Sequence, residues 1–305
     1  HGACRVKLCR NERGQAAVLT VMFLAALLGA MALVLDVGSW FREQRATQSA
    51  ADAAALAGAQ ALPDSPETST ALATQYLGSN GGGAGEYSFS STKLANDTIT
   101  VRVTREAESM FARIFGIDSV GVSAKASART GSVDRARYAA PIAVDRQHPL
   151  LNCSPLPCFG QATTLDLQKV GPGAFRLLNL DGSKGGTGGK IDAEWILRGY
   201  DGYMPLGWYG SDPGAAFNDS KFQEALNIRL GDELLFPVYD ATTGGGANFE
   251  YRVIGWVGFV VTDFKKVKGN NWIVEGYFVR VIWEGFLSES GSGADFGVRA
   301  VELVE

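Results

Sequence analysis

Histidine is almost absent from the 305-residue chain: His1 and His148 are the two it has, beside four cysteines and four methionines. No serine sits in a Gly-x-Ser-x-Gly elbow, and His148 precedes a proline. A Ser–His–acid triad therefore has no natural seat, and ordinary surface placement accounts for that histidine. The phosphate-loop pattern fails as well. Around "GGTGGK", Gly185–Lys190, Lys184 stands where the motif's first glycine belongs and Ile191 where its Ser or Thr belongs, which leaves a flexible loop. Charge of one sign is also lacking: 28 Lys and Arg against 32 Asp and Glu give a net charge of −4 and no electrostatic case for a nucleic-acid partner. The pairs Asp232 with Glu233 and Asp192 with Glu194 could serve a hydrolase, but a solvated turn and a helix start explain them more simply. Trp195, Tyr200, Tyr203, Trp208 and Tyr209, near a Gly-rich loop, read as core packing ahead of sugar stacking. No catalytic, cofactor-binding or metal-ligating residue is assigned, no cofactor is expected, and the chain reads as a non-enzyme.

Two further absences carry more information. Between Glu12 and Leu62 there is no proline, and between Ala16 and Leu35 there is no charge. An uncharged run of about 20 residues suffices to cross a hydrocarbon core. A signal peptide would have a shorter apolar core and a small-residue cleavage site, whereas here Asp36, Trp40, Phe41 and Arg42 follow and the helical pattern runs on. Arg5, Lys7, Arg10 and Arg13 precede the run and mixed charges follow it, so the positive-inside bias predicts a basic cytoplasmic leader over 1–14 and an extracytoplasmic location for the bulk of the chain. Trp40 and Phe41 are expected at headgroup level. With 46% hydrophobic and 20% charged residues and 38 glycines, disorder and collagen-like repetition both fit poorly, and a membrane-anchored globular protein fits well.

The run continues into "QSAADAAALAGAQAL", so a single helix roughly 70 Å long is expected over 15–62, ended by Pro63 and Pro66. In this stem Ala50, Ala54 and Gly58 form one small-residue stripe, and Ala53, Ala57 and Ala61 the next. Such spacing lets another helix or strand approach the backbone closely. The alternative, an isolated solvated helix, has few charges to keep it soluble.

Cys4 and Cys9 lie in the leader, where thiols stay reduced; palmitoylation is a minor alternative. Cys153 and Cys158 in "NCSPLPC" fall on the oxidising side and read as a disulfide, since zinc would need two more ligands and His148 is the one histidine nearby.

Beyond the stem, "PDSPETSTALATQYL" predicts a short capped helix, "GSNGGGAGE" a flexible turn, and "DTITVRVTRE" and "DSVGVSAKASART" alternate as strands around a helical turn in "ESMFARIFGI". This gives a small α+β unit over 63–131 and, through "GSVDRAR", a linker over 132–140. From 141 to 305, strand-like runs separated by glycine clusters, with "KIDAEWILRGY" and "SKFQEALNIRL" as helices, predict a mostly-β domain of sandwich or barrel-like form. The fold class is therefore α+β, with a long N-terminal helix.

These residues carry a resemblance. "ERGQAAVL…LVLDVG…REQRATQSAADAAALAGAQAL" resembles the N-terminal module of TadE/TadG-like proteins of the tight-adherence (Flp) pilus system. Their shared features are a basic leader ending in Arg-Gly-Gln, an apolar helix, an Asp-Val-Gly and an alanine-rich stem. The likeness extends more loosely through "FARIFGI…VSAKASART", and "LNLDGSKGG…EWILRGY…IRLGDELLFPVYD…YRVIGWVGFVV" resembles an envelope-exposed region of some TadG-related chains. The resemblance implies a membrane-anchored, pilin-like, non-enzymatic component of a pilus-assembly system. Its partners would be the membrane and either other assembly proteins or copies of itself.

Two departures matter. Prepilins of this kind carry a glutamate five residues after the cleaved glycine, but Gly14 is followed by Gln15, Ala16, Ala17, Val18 and Leu19. Cleavage between Gly14 and Gln15 is thereby in doubt, and an uncut chain stays anchored. Many TadG chains also contain a domain whose metal site needs Asp-x-Ser-x-Ser; "DGSKG" at Asp181–Gly185 does not supply it. The alternatives are a filament-forming subunit whose long helix packs in a fibre core, found in an extracellular filament, and more remotely an anchored envelope hydrolase or glycan-binding module.

Overall fold

The computed structural model describes residues 12–153, 158–167, 176–185, 187–212, 216–267, 272–288 and 294–304. Most of the expected leader, with Cys4 and Cys9, lies outside the described residues. Helix α1, Glu12–Ala59, is unbroken over 48 residues, and the backbones of Gly14 and Gln15 lie in its first turn. A turn over 60–62 and Pro63 end it. Ser65 then caps α2, Pro66–Ser79: its hydroxyl accepts from the Thr68 N–H at 3.2 Å, and Pro66 takes the first helical position, where no N–H is needed.

Three antiparallel strands follow, β1 (Ala84–Ser90), β2 (Thr98–Glu108) and β3 (Ser119–Ala136). The alternation read in the sequence holds: Ile99, Val101 and Val103 of β2 and Ala124, Ala126 and Ala128 of β3 share one buried face. Between β2 and β3 a 3-10 turn, Ala112–Phe115, closes on Gly116, whose φ of 81° suits a residue without a Cβ. β1 begins inside the stretch read as a flexible turn.

The remaining elements are β4 (Val144–Asp145), β5 (Ala162–Asp166), α3 (Gly189–Arg198), β6 (Met204–Pro205), β7 (Gly207–Gly210), α4 (Ser220–Ile228), β8 (Glu233–Thr243), β9 (Glu250–Lys266), β10 (Trp272–Val279), β11 (Val281–Ile282), β12 (Gly285–Leu287) and β13 (Val298–Val304). The fold is α+β, mostly β after residue 141. Among the described residues the strands form two curled sheets. One runs β1-β2-β3-β13-β11, with β6 and β12 also on β3; the other runs β4-β8-β9-β10-β5, with β7 on β9. Both predicted C-terminal helices are present as α3 and α4.

Residues 132–136, inside the expected linker, are the end of β3, and β6, β12 and β13 pair with this region. Val133 and Ala136 are buried there, and the polar stretch is a strand because three partners pair with it, although its burial does not alternate strictly. "NWIVEGYFVRVIWEGFL" is divided at Arg280, where the chain leaves one sheet (β10) for the other (β11, β12).

The layers stack in order. α1 and α2 cover one face of β2 and β3. A second core, including Val133, Leu287, Val298, Tyr251 and Trp256, lies where the two sheets meet, and a third packs α3 and α4 on the other side of β8–β10. Arg299 of β13 and Arg280 both bind Asp64, at 2.8 and 2.6 Å, and Arg299 also donates to Leu62 O at 3.1 Å. The top of the long helix is thus tied to the C-terminal strand and to the point where the chain changes sheets.

Candidate functional site

Helix α1 has two halves. From Val18 to Leu35 the large side chains stand exposed, Val34 at 70% and Phe23 at 66%. This is the one helix among the described residues long and apolar enough to cross a membrane, with a mean hydropathy of 2.7 over its most apolar window and none of that window buried. From Asp36 upward the same helix is covered. Thr47, Ala50, Ala51, Ala54, Ala55, Gly58, Ala59 and Leu62 are buried, a stripe repeating every three to four residues that turns toward β2, β3 and α2.

The structure brings the first predicted stripe together against the chain's own body. Ala50 and Ala54 are fully buried, and a Cβ added to Gly58 would lie 2.8 Å from Ile99 Cδ1, 3.1 Å from Ser69 O and 3.2 Å from Ala73 Cβ. In the second stripe Ala57 is buried, while Ala53 and Ala61 are half-buried. Alanine on the helix faces alanine on β3, and their small size is what lets helix and sheet come so close.

Polar residues of the collar hold the same contact. Gln44 Nε2 donates to Ser123 O at 2.8 Å and Gln48 Nε2 to Lys125 O at 3.2 Å. β13 reaches β3 only over Ser127–Ser132, so these carbonyls lie on a length of β3 that β13 does not pair, and the two glutamines supply their donors. Glu43 pairs with the largely buried Arg105 at 3.3 Å, and Arg105 donates from Nε to Gly82 O at 2.8 Å.

Asp36, the first charge after the apolar run, is 1% exposed. Its carboxylate accepts the N–H groups of Met110 at 2.7 Å, Phe111 at 3.0 Å and Ala112 at 2.5 Å. It thereby supplies acceptors at the start of the 3-10 turn, where backbone donors have no partner of their own, and clamps the β2–β3 loop to the helix. In the sequence Asp36 reads as no more than a charge flanking the apolar run. The available signal was a lone acid directly after an uncharged run, inside the Asp-Val-Gly.

In the C-terminal region Cys153 and Cys158 form the expected disulfide. His148 accepts the Leu150 N–H at Nδ1, lies 3.1 Å from Thr163 Oγ1 through Nε2, and meets Phe278 edge-on. It is a helix-capping and packing residue, and burial together with the nearby Arg176 lowers its pKa. Asp192 and Glu194 point apart, one buried and one exposed. The close acidic partner of Asp192 is Asp212: the Thr187 hydroxyl lies 3.0 Å from both carboxylates and has one proton to give. Burial, and then the like charge of Asp212, push Asp192 up to about 8, so it holds its own proton at neutral pH. Both carboxyls are sealed from solvent, which suits bracing of the glycine-rich loop over α3 and does not suit chemistry on a substrate. Gly186 of that loop lies outside the described residues.

The five aromatics divide. Trp195 and Tyr209 are buried, with Tyr209 donating to Pro205 O at 2.7 Å, and Tyr200 packs edge-on to Trp195. Tyr203 and Trp208 are partly exposed beside Arg137 and Arg252. No group of three or more metal-ligating side chains occurs among the described residues.

No curated protein and no solved structure gives a significant match to this chain. A family model described as putative Flp pilus-assembly TadE/G-like matches residues 14–61, which are the apolar segment, the Asp36 collar and the alanine stem. The helix that is bare below Asp36 and packed above it is thus the part of the chain similar to the putative TadE/G-like Flp pilus-assembly family.

Proposed function

We propose that the chain is a membrane-anchored, pilin-like structural component of a Tad/Flp-type pilus-assembly system, with a structural and non-catalytic role. The family match over residues 14–61 supports a role related to pilus assembly. The finer reading rests on one observation: an apolar helix long enough to span a bilayer continues without a break into the core of a folded body. A rod that is covered only in its upper part transmits position from membrane to body, because the covered part is locked by small-residue packing and by the Asp36 and Asp64 contacts. In this reading the body, residues 63–305, lies on the extracytoplasmic side, and its partners are the membrane and other assembly proteins.

The filament reading uses the same bare helix. The buried stem favours the anchor: Ala50, Ala54 and Gly58 are already occupied by the chain's own sheet and α2, so the small-residue stripe is not free to pack in a fibre core. Fractionation followed by N-terminal mass spectrometry separates the two. Chains that retain Arg5–Arg13 in the membrane fraction are expected. Recovery of the chain mainly in sheared fibres, starting at Gln15, overturns the anchor in favour of the filament subunit.

A further inference from the structure

The loop between β2 and β3 has a composition that a water-facing loop does not need. Between residues 110 and 117, Met110 is 67% exposed, Ile114 80%, Phe115 84% and Ile117 45%, and Phe111 is exposed as well. An apolar cluster of this kind facing water costs free energy unless something covers it. The 3-10 turn and its Gly116 cap leave the loop ordered while presenting these side chains outward.

Its location identifies the cover. The loop's backbone N–H groups are bonded to Asp36, which follows Leu35, the last residue of the bare apolar segment. With a helical rise of about 1.5 Å per residue, the loop is held within roughly one helical turn of the level at which that segment leaves the hydrocarbon. Trp40 and Phe41 lie about one turn above Asp36, and Phe41 is 65% exposed. Arg113, on the same loop, is half exposed beside Glu108, and a guanidinium at this level would suit a lipid phosphate. The exposed apolar side chains of the loop therefore lie beside the end of the bare apolar segment, the candidate membrane span.

We propose that the β2–β3 loop is a second membrane contact: Met110, Phe111, Ile114, Phe115 and Ile117 insert into the lipid interface beside the emerging helix. The body is then held at two points and its orientation over the bilayer is set, as an interfacial apolar element sets it elsewhere. This rests on the reading that residues 16–35 span the membrane.

The test uses the full chain with Cys4 and Cys9 replaced by serine, the Cys153–Cys158 disulfide kept, and an NBD fluorophore attached at one introduced cysteine. The chain is reconstituted in phosphatidylcholine/phosphatidylglycerol vesicles. Three sites are compared: Phe115→Cys on the loop, Leu28→Cys in the bare helix, and Lys93→Cys in the β1–β2 loop, about 35 Å away along β2. The label at 115 is expected to lose most of its emission to a nitroxide near the lipid headgroup and to resist aqueous iodide, with the label at 93 showing the reverse. A label at 115 that behaves like the one at 93, while 28 is quenched by a deep nitroxide, overturns the loop contact and leaves the span intact. Protection at 115 from both quenchers also overturns it, in favour of cover by protein. If 28 escapes the deep nitroxide, the spanning reading fails and the loop proposal fails with it.

Discussion

The lower and upper halves of α1 share one backbone and differ in what their side chains are for. Below Asp36 the helix displays Leu, Val, Met and Phe to its surroundings; above it, the face turned inward is almost entirely alanine and glycine. Large aliphatic groups suit a disordered apolar solvent that adapts to any shape. Small ones suit a rigid neighbour, because a close-packed helix–sheet contact leaves no space for variation in volume. The two halves meet at a buried carboxylate that belongs to neither chemistry and is instead satisfied by three backbone N–H groups from another part of the chain.

This contrast predicts a graded response to substitution. The largest effect is expected in the upper half. Gly58→Leu has to displace Ile99, the Ser69 carbonyl and Ala73, and should cost about 3 kcal/mol in denaturant unfolding of the full chain in detergent micelles, the upper range for overpacking. Unchanged stability would mean that the stem does not pack as described. Next comes Asp36→Ala at the junction. Amides 110–112 should then exchange with deuterium on the order of tenfold faster or more, with the exchange of β8 and β9 unchanged. Equal protection in the variant would remove the clamp from the account. A smaller effect, about 1 kcal/mol, is expected for Asp64→Asn, which weakens the bonds to Arg280 and Arg299 at a partly exposed site. Its sharper readout is faster exchange at the start of β13. The smallest effect should come from Leu24→Ala in the bare half: no measurable shift in unfolding of the body, since Leu24 stands exposed in a stretch of which none is buried. A clear loss of body stability from that change would show that the lower half packs against protein.

Legibility in the sequence followed the range of the interactions. The unbroken helix, its stop at the prolines, the alternation of β2 and β3, the helices α3 and α4 and the Cys153–Cys158 bridge depend on neighbours within a few residues, and each was readable from spacing. The stripe Ala50, Ala54, Gly58 announced close packing but not its partner, because a small-residue face accepts a foreign helix or the chain's own strand equally well. The partner depends on β2 and β3 folding back over a separation of about 50 to 80 residues, and helical spacing carries no record of that. The polar stretch 131–137 concealed a strand, since its pairing partners β6, β12 and β13 lie far along the chain.

By itself the sequence determined that this protein has an unbroken apolar rod with a thin alanine end and a β-rich body, for local reasons: helix propensity, absence of proline, absence of charge and periodicity. Only the tertiary structure decided that the thin end is spent inside the body, that Asp36 serves the β2–β3 loop, and that Asp64 joins the rod to the last strand. The physical reason is that a donor's acceptor and a cavity's filler are settled by which distant segments become neighbours, and chain order alone does not specify that.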